Sequence, residues 1–161
     1  MGTRSGSVDP GILTYLMRAG DAGDQLDDVL NHRSGLLGVS GVSRDMRDIL
    51  EAIRSGNRRA KLAFEIFVHR LHAGIGAMVT SLGGLDALVF TAGIGENSPE
   101  IRHATCASLG FLGVQLDDIK NSAANPDENI SGRDAPVCVF VIRAQEEWAI
   151  AQDCAQLCHF E

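Results

Sequence analysis

With 161 residues, 45% of them hydrophobic and 22% charged, the chain is long enough to bury a core and ordinary for a globular domain. A net charge of −7 argues against a nucleic-acid surface. No apolar run is expected to reach membrane-span length, and the first residues carry no secretory pattern. Four cysteines without CxxC spacing (Cys106, Cys138, Cys154, Cys158) suggest reduced thiols, so a soluble cytoplasmic protein is expected.

In chain order, residues 1–6 (MGTRSG) read as a loop whose only charge is Arg4. Asp9 and Pro10 form a helix start, cap and N1 proline, and that helix should end at Gly20. A second short helix is expected near 24–31. Residues 35–43, rich in glycine and serine, read as a loop. Arg44, Asp45, Met46, Arg47 and Asp48 lead into a helix through Ile49, Leu50 and Ile53 that stops at Gly56. A long helix over about 57–81 carries apolar residues on more than one face, so it should be central or lie at a subunit contact. Within it, Gly74 and Gly76 would let another element approach closely.

Residues 85–91 (LDALVFT) read as a fully buried strand of a mostly parallel sheet. Gly93 and Gly95 then allow a tight turn and close approach to a ligand. Ser98 and Pro99 begin a helix to about 109. The order strand, glycine loop, helix N-terminus favours an anion, commonly a phosphate. Alone this signal is weak, because the third glycine of a dinucleotide fingerprint and the Lys-Ser/Thr of a P-loop are missing. Farther on, 114–116 should be a short strand and 120–134 a flexible surface loop. Residues 136–143 (PVCVFVIR) read as a second strong strand, with a helix over 145–157. The pattern is that of an α/β layered domain with helical inserts.

Candidate chemistry collects at loop ends: Arg4, the Asp45/Arg47 pair, the 93–97 turn, and Glu146 with Glu147 where a strand meets its helix. Arginine in a glycine loop suits a phosphoryl group. A strand-end carboxylate can hold Mg²⁺ directly or through water, although Glu146 and Glu147 also fit as ordinary first-turn acids. Glu65, His69 and His72 share a helix face but lack a second ligand cluster. Cys154, Cys158 and His159 share a helix end and read as packed thiols rather than a zinc site.

Taken together, MGTRSG with Val8, Asp9 and Pro10, then Gly38-Val39-Ser40 and residues 43–48, then FTAGIGEN within 85–98, and Val141-Ile142 with Glu146-Glu147 and residues 149–153 closely resemble the C-terminal part of the acetate kinase family, with its propionate and butyrate kinase relatives. Order and spacing match over nearly the whole chain. The resemblance implies the actin-like ATPase superfold, α/β with a ribonuclease H-like core and helical inserts, with residues 1–161 as its C-terminal nucleotide-binding domain. It implies reversible, Mg²⁺-dependent transfer of the ATP γ-phosphoryl group to acetate, or to another short-chain acyl carboxylate, giving acetyl phosphate and ADP. Arg4 then matches the active-site arginine that contacts the acyl carboxylate and the transferring phosphoryl group. Asp45 and Arg47 match positions near the adenosine. Gly93, Ile94, Gly95, Glu96 and Asn97 match the turn cradling adenosine and α-phosphate, and Glu146 matches the Mg²⁺-linked carboxylate. A homodimer is implied as well.

Two local departures stand out. Gly6-Ser7-Val8-Asp9-Pro10 lacks one acid of the family's GDxDP, and Arg143-Ala144-Gln145 replaces Pro-Thr-Asn before the paired glutamates. Nothing matches the family's N-terminal half, including its HLGxG phosphate loop. The expectation is therefore a C-terminal half that needs the missing half, with that half in trans as a candidate partner. The alternative is a catalytically silent nucleotide-binding or dimerisation module.

Overall fold

The computed structural model describes residues 1–20 and 23–158, with only the backbone of Cys158. The grouping of Cys154, Cys158 and His159 falls outside it. The chain divides into two compact units, residues 1–73 and 74–161.

The first unit is helical. In α1 (Pro10–Ala19) the Asp9 carboxylate accepts from Gly11 N at 2.6 Å, and Gly20 closes the helix at φ 105°. Then come α2 (Gly23–His32), α3 (Gly35–Ser40) and α4 (Met46–Arg54). The 25-residue α5 (Arg58–Leu82) starts here, with the Asn57 carboxamide accepting from the Arg59 and Ala60 amides. The unit buries Leu26, Leu36, Met46, Ile49, Ala60, Ala63 and Val68.

That α3 is a helix corrects the loop expected at 35–43. Its glycines serve close approach rather than flexibility. A Cβ on Gly35 (φ +62°) would lie 2.5 Å from Met1 O, and one on Gly38 would lie 2.5 Å from Arg33 O. At its far end, Arg59 donates to the carbonyls of Val39 and Gly38, both at 2.9 Å, which satisfies acceptors a helix end leaves open.

A second correction concerns α5. By length and composition it could cross a membrane, contrary to the expectation that no segment reaches that size. However, Arg58, Arg59, Lys61, Glu65 and Arg70 punctuate its first half. The charge-free remainder, 71–82, extends about 18 Å, well short of a hydrocarbon core of ~30 Å. Leu62, Ile66, Met78 and Leu82 are exposed along it, as a contact helix would leave them. Among the described residues no other element lies within 4 Å of a Cβ built on Gly74 or Gly76, so within them no close approach is made there.

The second unit is α/β. A three-stranded sheet runs in the order β1-β3-β2, with β1 (Ala87–Phe90) parallel to β3 (Cys138–Val141) and β2 (Glu128–Asn129) antiparallel to it. Between β1 and β3 lie α6 (Ala92–Asn97), α7 (Pro99–Ala107), a 3-10 turn at Gly110–Leu112 and α8 (Asp118–Ala123), and α9 (Glu146–Cys158) follows. Phe90, Cys106, Leu109, Val114, Ile130, Val137, Val139 and Val141 form its core. β3 alternates, its Val139 and Val141 fully buried.

Three expectations change here. β1 is not fully buried, since Val89 is 51% exposed: one face alone is covered by this chain. Residues 114–116 make only isolated bridges, Val114 to Val137 and Leu116 to Ser131. The stretch 120–134, expected to be a flexible loop, holds part of α8, β2 and the fully buried Ile130. Its polar side chains misled because they bond backbone. Ser131 Oγ accepts from Val139 N at 2.7 Å, and Asn129 Oδ1 accepts from Ser131 N at 2.8 Å.

Burial pushes the Cys106 thiol up to about 12, although Arg102 nearby opposes the shift. Since the thiolate is the reactive species, iodoacetamide at neutral pH is expected to modify the exposed Cys154 and to spare Cys106 until the unit unfolds. Peptide mass mapping after a brief pulse checks this.

Candidate functional site

Residues 1–7 form no regular element but are tied down by backbone. Ser5 N donates to Leu30 O and Ser34 N to Thr3 O, each at 2.8 Å, while Leu36 N and Leu37 N donate to Met1 O and Gly2 O at 3.1 and 3.0 Å. The first amides of α3 are thereby used on the segment that carries Arg4. A Cβ on Gly35 would also meet Arg4 O at 2.9 Å, so only glycine permits this docking.

Arg4 is exposed, and among the described residues its guanidinium makes no hydrogen bond or ion pair. It lines a cavity of about 950 Å³ within the first unit. Arg33 and Arg70 line the same cavity, as do Ser5, Ser7 and Ser34, with Leu36, Ile66 and Phe67 as apolar wall. Among the described residues no carboxylate lines it, in a chain that is acidic as a whole. Arg33 is paired with Asp28 at 2.5 Å, and Arg70 donates to Ser7 Oγ at 2.6 Å. That leaves Arg4 and Arg70 with no acid bound among the described residues, a setting suited to an anion.

Asp45 caps α4, accepting from Arg47 N at 2.9 Å, and binds the Arg47 side chain through Nε and Nη2 at 3.0 and 2.5 Å. The pair holds the guanidinium plane in one orientation and leaves it 87% exposed. The side-chain and backbone bonds from Arg47 lower the Asp45 carboxyl from 3.8 to about 2. A lowered folded value means that the carboxylate supports the fold fully above about pH 4, and that this support is lost as pH falls toward 2. A carboxyl-carbon NMR titration should give a midpoint near 2 for Asp45, and Arg47→Ala should return it toward 3.8.

In the second unit, the corner after β1 differs from the expected glycine loop. Residues 92–97 form α6, and the left-handed residue is Ala92 (φ 59°), not a glycine. Such a conformation costs a non-glycine residue about 1–2 kcal/mol, and strain of this kind gathers at functional corners. Gly95 makes a close approach to the strand itself, since its Cβ would sit 3.3 Å from Phe90 C, while Gly93 faces open space. Ser98 caps α7 as expected, accepting from Ile101 N, but is 7% exposed. At α6, by contrast, the cap residue Thr91 makes no side-chain bond, so its first amides carry no side-chain cap. Asn97 Nδ2 donates to Gly93 O at 2.8 Å, and the Glu96 carboxylate accepts from Ala144 N at 2.8 Å.

Arg102 is the residue that reading the sequence missed. It is 2% exposed and donates to Gly95 O (2.9 Å), Glu96 O (2.7 Å), Asn121 Oδ1 (2.7 Å) and Asn121 O (2.8 Å). It thus locks the corner to α8. One signal was available: Arg102 falls on the same face of α7 as Thr105 and Cys106, where a charge needs a built partner set.

Glu146 and Glu147 stand exposed in the first turn of α9. Among the described residues no three His, Cys, Asp or Glu side chains gather closely enough to form a metal cage, and Glu65, His69 and His72 make none. A lone carboxylate still fits Mg²⁺, which keeps most of its waters and takes phosphate oxygens.

The acetokinase family profile matches residues 1–152. The chain is 61% identical over 158 residues to an acetate kinase of Nostoc punctiforme, covering 98% of this chain and 39% of that one. Its fold superposes on the crystal structure of Porphyromonas gingivalis acetate kinase with a TM-score of 0.88 at 42% identity, over 97% of this chain and 40% of the other. A propionate kinase from Francisella tularensis gives 0.86 at 40% identity, over 95% of this chain and 39% of the other. The chain thus spans about two-fifths of the length of the relatives it matches, and it shares the actin-like ATPase fold of these kinases. By motif, profile and fold, it belongs to the acetokinase family.

Proposed function

We propose that this chain supplies the nucleotide-binding and acyl-facing residues of an acetate kinase, which moves the γ-phosphoryl group of ATP reversibly to acetate and yields acetyl phosphate and ADP. The observation that carries this reading is the Arg4 guanidinium, unpaired among the described residues, on a cavity that no described carboxylate lines, within a chain 61% identical to an acetate kinase. In-line transfer to a carboxylate needs little covalent help; it needs alignment and neutralised charge. Arg4 contacts the acyl carboxylate and the transferring phosphoryl group. Asp45 and Arg47 lie near the adenosine, with the exposed Arg47 plane available for stacking. Gly93, Ile94, Gly95, Glu96 and Asn97 cradle adenosine and α-phosphate, helped by the uncapped amides of α6. Glu146 is the carboxylate linked to Mg²⁺, and that ion, when bound, neutralises phosphate charge.

In this reading residues 1–161 act as one C-terminal nucleotide-binding domain of a cytoplasmic homodimer that pairs through the apolar exposed positions of α5. Neither nucleic acid nor a membrane is a partner. Electrostatic catalysis depends on a preorganised site closed to water, so the chain alone should turn over poorly. The test is acetyl phosphate formation, trapped as hydroxamate, by the pure chain with and without the N-terminal part of a relative added in trans. Activity well above background on mixing supports the proposal. Nucleotide binding without turnover in any mixture would instead identify a silent nucleotide-binding or dimerisation module.

A further inference from the structure

Every side chain of α9 from Glu146 to Leu157 is exposed, so packing does not place the head of that helix. What places it is the junction after β3. Three consecutive amides there are each held by a different element. Ile142 N donates to Phe90 O at 2.9 Å, Arg143 N to the Asp127 carboxylate at 3.2 Å, and Ala144 N to the Glu96 carboxylate at 2.8 Å. The last tether before Glu146 therefore comes from the corner at 92–97, across 48 residues of sequence. Glu96 is itself fixed, its carbonyl accepting from the buried Arg102.

We propose that Glu96 is a positioning residue: its carboxylate, bonded to Ala144 N, couples the adenosine corner to Glu146, so that nucleotide and divalent cation bind cooperatively. This rests on the functional reading above, in which the corner takes adenosine and Glu146 serves the metal. A charged acceptor on a backbone amide is among the stronger hydrogen bonds, and one bond two residues from Glu146 sets where that side chain starts. With the Glu96 backbone held by Arg102, ligand at the corner acts through the Glu96 carboxylate, strengthening its bond to Ala144 N and so the placement of the helix head.

Amide exchange in the 161-residue chain reads the tether directly. In Glu96→Ala the Ala144 amide should exchange about tenfold faster or more. Glu96→Gln keeps an oxygen acceptor and should fall between, while Val139 and Ile142 stay protected. Unchanged exchange at Ala144 overturns the tether. If Glu96→Ala also loosens Val139, Glu96→Gln decides by the same comparison. Coupling is read with Mn²⁺ as probe, by the resonance of free ion and with Mn²⁺–ADP formation in solution subtracted. In the wild-type chain Mn²⁺ affinity should be about tenfold higher with ADP than without it, and Glu96→Ala should bring that ratio below about threefold, whatever it does to ADP affinity in EDTA. The same ratio in Glu96→Ala as in the wild-type chain means a merely structural role and overturns the coupling. A wild-type chain that binds no ADP overturns the nucleotide reading beneath it, while the tether stands or falls on Ala144.

Discussion

Arg4→Ala is expected to cut acetyl phosphate formation in the completed enzyme by on the order of 10³–10⁵, with ADP affinity changed by less than about threefold. The size comes from where the charge acts. The transferring phosphoryl group spreads its charge over three equatorial oxygens, and a guanidinium stabilises that arrangement more than it stabilises bound nucleotide. Four backbone hydrogen bonds hold the segment around Arg4, so its side chain starts from a fixed position and needs no partner within the chain. Arg4→Lys restores the charge but not the planar fork, so it should recover only part of the rate. Hydroxamate-trapping kinetics beside calorimetric ADP titration make the comparison. Equal losses in rate and in ADP binding would assign Arg4 to ground-state binding instead.

The second large effect is on stability. Arg102→Leu should destabilise the second unit by about 3–5 kcal/mol, because one substitution strands two buried and two half-buried acceptors. Gly95 O, Glu96 O, Asn121 O and Asn121 Oδ1 all accept from this guanidinium. Among the described residues every buried side-chain nitrogen and oxygen has a partner, so no spare donor stands ready. Arg102→Lys keeps a cation, but one ammonium cannot match the two directions of the fork, and most of the loss should remain. Urea denaturation followed by far-ultraviolet circular dichroism, with amide exchange at Val139 and Val141 as local readout, measures it. A loss below about 1 kcal/mol would mean that water replaces the guanidinium without cost.

Much of this was legible in the residues. Asp9-Pro10 and Ser98-Pro99 mark helix starts through local capping chemistry, which no tertiary contact overrides here. PVCVFVIR is apolar enough to locate β3 and its parallel neighbour. What failed depended on distant partners. Gly35 and Gly38 look like loop residues unless one knows that Met1 O and Arg33 O press against them. The stretch 120–134 looks solvated because Asn129 and Ser131 are polar, yet their side chains finish the bonding of buried backbone. At the corner, the two glycines of AGIGEN drew the turn to themselves, while the chain turns at Ala92 and uses Gly95 to lie against Phe90. The ties of Glu96 to Ala144 and of Arg102 to Asn121 span 48 and 19 residues, and no periodicity encodes them.

In the proposed function a nucleotide sits at the corner after β1. The direct measurement is an ADP titration of the ¹⁵N-labelled 161-residue chain followed by amide chemical shifts. Saturable shifts centred on Ala92, Gly93, Ile94 and Gly95, with Asp45 and Arg47 responding at the same ADP concentration, are the predicted result. Saturable shifts confined to other residues, or a spectrum unmoved at millimolar ADP, would contradict it.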